Sequence, residues 1–491
     1  MKPLAATVAI KTANVRHGPA VPLATCALLL AVQISPWWYS SIDSASYLSM
    51  ARSLVRGTGL TNLGSRLWWY SPGYPALISP AFLMDDRPFF WLSVFQWLLA
   101  VGLMLGVYRW SRRVVPDAAV WIASLTVVNH GLWLHYRRPL SEIAFMCVLV
   151  WAVISLNGLR WQAPKRVFAA RLSCAAVLVA LLCAIRPVGI VLAPGLAVSA
   201  LLHVLRGTAP WRRAVVASLV VGAAAALPVA LFVSHERVMA AELGGRTYFD
   251  EFRDAARTPL SSWSAGLQMC VSDIGRVCVP GLFKSHRTPG DWTDVNMLVH
   301  APFFVMICYG WLRWTREQND PFAWYMPFYF LLIAAHAMDT GARLMLPLLP
   351  ALLVCAWFAL QGIGRRRQVI FGVCLALQLL VASGYWLAFD LPRARKLHMQ
   401  WAEIDQFVLP IQADPGTVLA WEMSDEMYVM LALALDRHVF RSGEPGAAQA
   451  RWLVAARDHD LPAGLVPHQG PTACCLRLFS SGAIETVTNG E

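Results

Sequence analysis

Five side chains in this sequence have types and placements suited to chemistry: the carboxylates of Asp43 and Glu142 and the guanidinium groups of Arg138, Arg186 and Arg343. Each sits at the end of a long apolar run. Asp43 is also the first acidic residue, since forty-two residues precede it without a carboxylate. A carboxylate placed like this can accept the proton of a hydroxyl, or it can serve the dipole of a helix that starts beside it. An arginine can bind two phosphate oxygens with its planar fork, or it can snorkel to an interface. Both readings of each group are open on the residues alone.

The elements that must position these groups are hydrophobic. The chain has 491 residues, 57% hydrophobic and 14% charged, with a mean hydropathy of +0.50. A soluble protein would carry about 25% charged residues. Apolar runs of membrane-spanning length centre on 20–37, 88–108, 115–134, 139–157, 168–185, 187–205, 214–234, 297–312, 322–338, 343–361 and 368–389. The expected fold class is therefore an α-helical polytopic membrane protein with about eleven transmembrane helices, the pair around Arg186-Pro187 being readable also as one long kinked helix. Spans of this length exclude barrel strands.

Lys and Arg positions set the orientation. Eighteen of them, from Lys2 to Arg367, fall in short segments on one side, against Arg137, Arg138, Arg186 and Arg343 on the other. By the positive-inside rule the N-terminus is cytoplasmic and the Asp43 loop is outside, as expected for the plasma (bacterial inner) membrane. The net charge of +12 is thus topological, and no nucleic-acid partner is expected. With an odd number of spans the C-terminus lies outside too.

Along the chain, Tyr47, Met50, Ala51 and Leu54 recur at helical spacing after Asp43, until Gly57 and Gly59 end the pattern. That predicts a short amphipathic helix lying flat at the interface, with Asp43 in its first turn. Pro139-Leu-Ser-Glu142 opens another helix, so Glu142 is either a dipole partner or a residue facing a cavity. His336, Asp339 and Arg343 fall within one short turn, where a solvated ion-pair cluster is the plainer reading. The segment 235–296 is a long external loop carrying Lys284 and His286. Cys270 and Cys278 lie within it, outside the membrane, where a bridge could form although spacing alone proves nothing. Beyond residue 390 the composition turns soluble. Strand-like runs at 417–421, 451–456 and 474–479, with a helix at 425–436, suggest a small α/β domain. The expected division is 1–390 for the transmembrane part, with external loops 38–87 and 235–296, and 391–491 for the extracytoplasmic C-terminal domain.

Several stretches resemble a known family. Asp43-Ser-Ala-Ser-Tyr47, Ala51-Arg52-Ser53-Leu54, Gly57-Thr58-Gly59 and Tyr70-Ser-Pro-Gly-Tyr-Pro75 are similar to the first external loop of type C (GT-C) membrane glycosyltransferases. These enzymes use polyprenyl-phosphate sugars and include the aminoarabinose transferases and protein O-mannosyltransferases. Many members carry two adjacent acids where this chain has Asp43 followed by Ser44, a departure that bears on the acceptor class. Ser141-Glu142, Arg186-Pro187 and the Arg343-to-Pro350 stretch also resemble family positions. The resemblance implies a catalytic Asp43, a functional Glu142, and donor phosphate held by Arg343 and Arg186, with Arg138 a further cation. It also implies an inverting displacement. Tyr47, Tyr70, Tyr74, His336, Asp339, Lys284 and His286 are the expected substrate contacts.

Sugar transfer from a polyprenyl phosphate needs a carboxylate for the acceptor hydroxyl, a cation for the departing phosphate, and a groove for the lipid. The external loops supply the charged groups. The expected partners are a polyprenyl-phosphate-linked sugar, an acceptor lipid, glycan or protein, and membrane lipids. No cofactor is certain, and a divalent cation is allowed for. The alternative is a transporter or flippase of lipid-linked sugars, using the same charges as a transit path. The absence of a P-loop, HExxH, CxxC or strand-bound GxGxxG motif leaves soluble nucleotide-sugar chemistry unsupported. Reporter fusions test the orientation. Fusions after Arg113, Arg166, Arg213 and Arg367 should read as cytoplasmic and those at Gly64, Gly266 and Gly443 as external; a cytoplasmic signal at Gly64 overturns the site assignment.

Overall fold

The structure is a computed structural model. It describes residues 19–38, 40–63, 70–133, 135–136, 138–243, 250, 260–278, 297–336 and 341–393, scattered positions of 395–408, and 418–421, 425–435, 439–441, 452–456 and 476–480. Sixteen α-helices are used below: α1 Ala20–Ala31, α2 Ile42–Val55, α3 Gly73–Ile78, α4 Phe89–Val114, α5 Ala119–Val127, α6 His130–Trp133, α7 Ser141–Asn157, α8 Lys165–Ile185, α9 Leu192–Leu205, α10 Trp211–Leu243, α11 Leu260–Cys278, α12 Met297–Glu317, α13 Pro321–His336, α14 Leu349–Ala359, α15 Arg366–Tyr385 and α16 Asp425–Leu435.

Six stretches are long and apolar enough to cross a membrane: Phe89–Val114, Lys165–Ile185, Pro187–Leu205, Trp211–Glu242, Arg343–Ile363 and Arg366–Arg393. Other expected spans are shorter helices, including α1, α7 and the Pro321–Ala335 stretch. At about 1.5 Å per residue, a helix of a dozen residues covers little more than half of a hydrocarbon core of about 30 Å. The architecture is a polytopic helical bundle, and the full number of crossings stays an expectation.

Burial follows sequence. α7 and α14 are apolar on every side and are buried nearly throughout, as helices without a polar face must be. α7 packs between α4 and α8 and also touches the 3₁₀ segment Gly341–Leu348. α8 packs on α10, α9 on α10 and α13, and α12 on α14. Glycines set the closest approaches: a Cβ on Gly310 of α12 would strike the Cys355 carbonyl of α14, and one on Gly195 of α9 would lie 2.9 Å from the Tyr325 nitrogen of α13. On the side carrying the basic loops, Asp320 accepts from Trp110 Nε1 at 3.0 Å and Asn157 Nδ2 at 3.0 Å, and from the Phe322 amide at 2.8 Å. This pins the ends of α4 and α7 to the start of α13.

The break at Arg186-Pro187 separates two helices. Arg186 is extended, with φ −147° and ψ 124°, as a residue before proline prefers. A 3₁₀ turn, Pro187–Val191, then folds back on α8, where Gly189 leaves a side chain no room beside Leu182.

Three expectations change. α2 is not an exposed amphipathic surface helix. It is buried from Ser44 to Ala51, because α3 and the 3₁₀ turn Ser79–Leu83 pack on it and α16 covers another side. The expected long loop contains a described helix, α11, packed on α12 and α13. Both Cys270 and Cys278 lie on α11 and are free. Eight residues of helix hold them about 12 Å apart, beyond the roughly 7 Å a disulfide tolerates.

The C-terminal strands are β1 Val418–Trp421, β2 Val439–Arg441, β3 Trp452–Ala456 and β4 Leu476–Ser480. They form one sheet in the order β2-β1-β3-β4, with β1 parallel to both neighbours and β3 antiparallel to β4. α16 makes the crossover between the parallel pair β1 and β2. Three of the strands and the helix match the expected runs. β2 was not foreseen, since three residues are too few to show alternation.

The α12–α14 contact predicts that Gly310→Val is not tolerated. It should destabilise the bundle by about 1–3 kcal/mol or more, read as lost monodisperse protein in detergent. Gly384→Ala, where the added Cβ meets nothing within 4 Å, should behave as wild type.

Candidate active site

Asp43 stands in the first turn of α2 but does not cap it. Ser41 is the N-cap: its side chain accepts from the Ser44 amide, and the Ser44 hydroxyl in turn accepts from the Ser41 amide at 2.9 Å. This capping box satisfies the helix end and leaves the Asp43 carboxylate to other partners. Ser44, placed where a second acid is common in the family it resembles, also accepts from Trp38 Nε1 at 3.2 Å. Two further hydroxyls of α2 fix the chain that follows: Ser49 Oγ accepts from the Leu63 amide at 2.8 Å and Ser53 Oγ from the Thr61 amide at 3.0 Å.

Asp43 Oδ1 accepts from the Tyr70 hydroxyl at 2.7 Å, and its Oδ2 accepts from Arg343 Nη1. The Nε of Arg343 donates to Glu142 Oε1. Arg186 Nη1 donates to the same oxygen at 3.1 Å. Four residues separated by up to 300 positions thus form one alternating chain of charge, from Asp43 to Arg343, Glu142 and Arg186. Glu142 is fully buried, whereas Arg343 and Asp43 are about a quarter exposed, so the cluster has a dry end and an open end.

Aromatic groups wall the open end. The Tyr47 ring lies 5.0 Å from that of Tyr70 and 4.9 Å from that of Tyr74. Tyr47 OH pairs with Ser141 Oγ at 3.1 Å, and Tyr74 OH accepts from Gln96 Nε2 at 2.6 Å. Burial first, and then the Asp43 charge beside it, push the Tyr70 phenol well above its ordinary range, so it stays a donor to the carboxylate. Burial alone carries most of the same effect at Tyr47, pushed up to about 12. Ser71 donates to the Ala184 carbonyl, and Tyr329 donates to the Leu344 carbonyl at 2.9 Å. Those bonds fasten the Tyr70 segment to α8 and the Arg343 segment to α13.

The structure therefore brings Asp43, Glu142, Arg186, Arg343, Tyr47, Tyr70 and Tyr74 together. Arg138 is half-buried on the turn before α7, close enough to act on His135 electrostatically. His336 ends α13, while Asp339, Lys284 and His286 lie outside the described residues. Sequence reasoning did not single out His135, a residue without formal charge in the turn before Glu142. It is buried beside Glu142, and its Nδ1 has no hydrogen-bond partner in the structure, nor has Glu142 Oε2.

A divalent cation finds a poor donor set here. Among the described residues no three His, Cys, Asp or Glu side chains come together, and the two acids of the cluster are already bridged by the Arg343 guanidinium.

This helical architecture is the GT-C fold, shared with polytopic membrane glycosyltransferases. ArnT from Cupriavidus metallidurans in the apo state superposes with a TM-score of 0.57 at 12% identity, over 94% of this chain and 97% of that one. The same protein bound to undecaprenyl phosphate gives 0.55 at 12% identity, over 95% and 98%. The Archaeoglobus fulgidus oligosaccharyltransferase in the apo form gives 0.54 at 13% identity, over 89% and 69%. No protein-family model matches the sequence, and no curated protein matches it.

His135 generates a pH prediction. Burial, the dominant effect and one that Glu142 only partly offsets, lowers its pKa from 6.5 to about 4. The unfolded chain then binds more protons than the folded one between these values, so stability is full above about pH 6.5 and falls as the pH drops towards 4. The whole loss amounts to about 3 kcal/mol. Thermal unfolding between about pH 7 and 5 should show the decline, and His135→Gln should flatten it. An equal slope in that variant would show that other groups set the pH response.

Proposed function

We propose that this chain is a glycosyltransferase moving a sugar from a polyprenyl-phosphate carrier to an acceptor hydroxyl on the extracytoplasmic face, with inversion and with Asp43 as base. The observation that carries the reading is the Arg343 bridge between Asp43 and Glu142, joined by Arg186 on the same Glu142 oxygen. Two cations and two anions make a formally neutral cluster. An arriving phosphate adds negative charge and is a strong partner for guanidinium groups. Support for the carrier comes from the shared fold of a protein crystallised with undecaprenyl phosphate.

In the reaction, the acceptor oxygen attacks the anomeric carbon and its proton passes to Asp43. The bond from that carbon to the phosphate oxygen breaks, and its electron pair leaves on the polyprenyl phosphate. Arg343 and Arg186 take up that developing charge in a partly dry site, where it counts most. Before the donor arrives Arg343 neutralises Asp43. Drawing Arg343 to the phosphate leaves Asp43 with the Tyr70 hydrogen bond and free to accept a proton. Glu142 keeps both arginines oriented through Oε1. The tyrosine wall packs on the sugar face. Arg138, His336, Asp339, Lys284 and His286 are proposed as further substrate contacts. The N-terminus is cytoplasmic in this reading, and the membrane is the bacterial inner membrane.

Two predictions separate catalysis from structure. Asp43→Asn keeps shape, and the Ser41–Ser44 cap is untouched, so the variant should fold. It should lose at least about 10²-fold in turnover at saturating donor, with donor binding retained. Turnover within a few-fold of wild type would move the base elsewhere, with Glu142 next. Arg343→Lys and Arg186→Lys keep charge but lose the fork, and each should weaken donor binding on the order of tenfold. Unchanged affinity in both would make them interface anchors. Release of polyprenyl phosphate from a labelled lipid-sugar in detergent distinguishes the enzyme from a flippase, which cannot produce it.

A further inference from the structure

α2 has a second working face. At about 100° per residue, Arg52 stands half a turn round from Asp43, and Leu48 and Arg56 flank it. This face borders a cavity of about 360 Å³ that α2 shares with α16 and with the turn leading into α4, within the size range of small-molecule sites. Among the described residues Arg52, Arg56, Arg87 and Asp86 line it, and Phe82, Phe89 and Trp401 form an aromatic wall. The arginines are held in place. Arg52 Nη2 donates to the Leu433 carbonyl at 2.7 Å, Arg87 lies over the Trp401 ring at 5.9 Å, and Arg56 is 3.9 Å from the highly exposed Asp86.

The surroundings of the cavity indicate its depth. Leu83 and Met84 are well exposed just before α4, and Phe90 and Trp91 are exposed in its first turn. Exposed apolar and aromatic side chains at the start of a span belong at the headgroup level of a bilayer. Three arginines there attract anionic headgroups. Guanidinium groups make strong, two-pronged hydrogen bonds to phosphate oxygens.

We propose that this cavity binds the phosphate headgroup of an anionic lipid of the outer leaflet, on the face of α2 opposite Asp43, with the lipid tails running over Leu83 and Met84. The headgroup would brace α2 against α16, and so hold the helix that carries Asp43. The site is separate from the Arg343–Arg186 cluster, and its existence does not rest on the transferase reading. The lipid is either bulk phospholipid or a lipid-borne acceptor, which share this chemistry.

The experiment is native mass spectrometry of the full chain released from nanodiscs of phosphatidylglycerol or phosphatidylcholine. Arg56→Gln with Arg87→Gln is the main variant, because both side chains are exposed, and its thermal unfolding is read beside wild type; Arg52→Lys is the second. Wild type should retain phosphatidylglycerol over phosphatidylcholine. The double variant should lower that retention at least about tenfold, as expected for lost charged hydrogen bonds. Retention of added polyprenyl phosphate should be unchanged in it, whereas Arg343→Lys should show the reverse pattern. Equal retention of the two phospholipids by wild type, or phosphatidylglycerol retention unaltered by the double variant, overturns the proposal. Sugar transfer to a lipid extract identifies the source: a raised acceptor KM in the double variant marks a lipid-borne acceptor, and an unchanged KM marks bulk phospholipid, either result being consistent with the site.

Discussion

The contact on which the rest depends is the Arg343 guanidinium held between Asp43 and Glu142. It joins the first loop, the start of α7 and the segment before α14, which lie far apart in the sequence. Burying such charges is costly, and the cost is met only when each finds its counter-charge. Glu142 is the extreme case, a fully buried carboxylate whose Oε1 accepts from two arginines. Removing one member of a buried cluster costs about 3–5 kcal/mol, because the other charge is stranded. The same interaction therefore sets the tertiary placement of α2 and the electrostatic state of the proposed base.

That placement works because the neighbouring polar groups have other duties covered. Ser41 and Ser44 cap α2 between them, so the Asp43 carboxylate is released for Arg343 and Tyr70. Pro187 forces Arg186 into extended backbone, which turns its side chain out of the α8 helix towards Glu142. Gln96 holds Tyr74 and the Leu140 carbonyl at once, tying the aromatic wall to the turn that presents Glu142. α2 is thus held on two faces, by the charge cluster and tyrosines on one and by α16 on the other. A ligand on either face acts on one rigid helix.

Membrane class, helix positions and the break at Arg186 were legible in the sequence, because each follows from local physics: apolar length, proline geometry and helix periodicity. The loop tyrosines and the four charged residues of the cluster were legible as candidates, since a charge at the end of an apolar run needs a reason. Tertiary structure alone decided their pairing. Arg343 meets Asp43 across 300 residues of chain, and nothing in local spacing encodes such a contact. Ser44 and His135 show the same limit from the other side. A serine beside an acid and a histidine in a turn read as ordinary until folding makes one a cap and buries the other against Glu142. Likewise α2 has the periodicity of a surface helix, and only the packing of α3 and α16 reveals that both of its faces are covered. Periodicity reports which side of a helix is apolar, whereas burial depends on what distant segments bring to the other side.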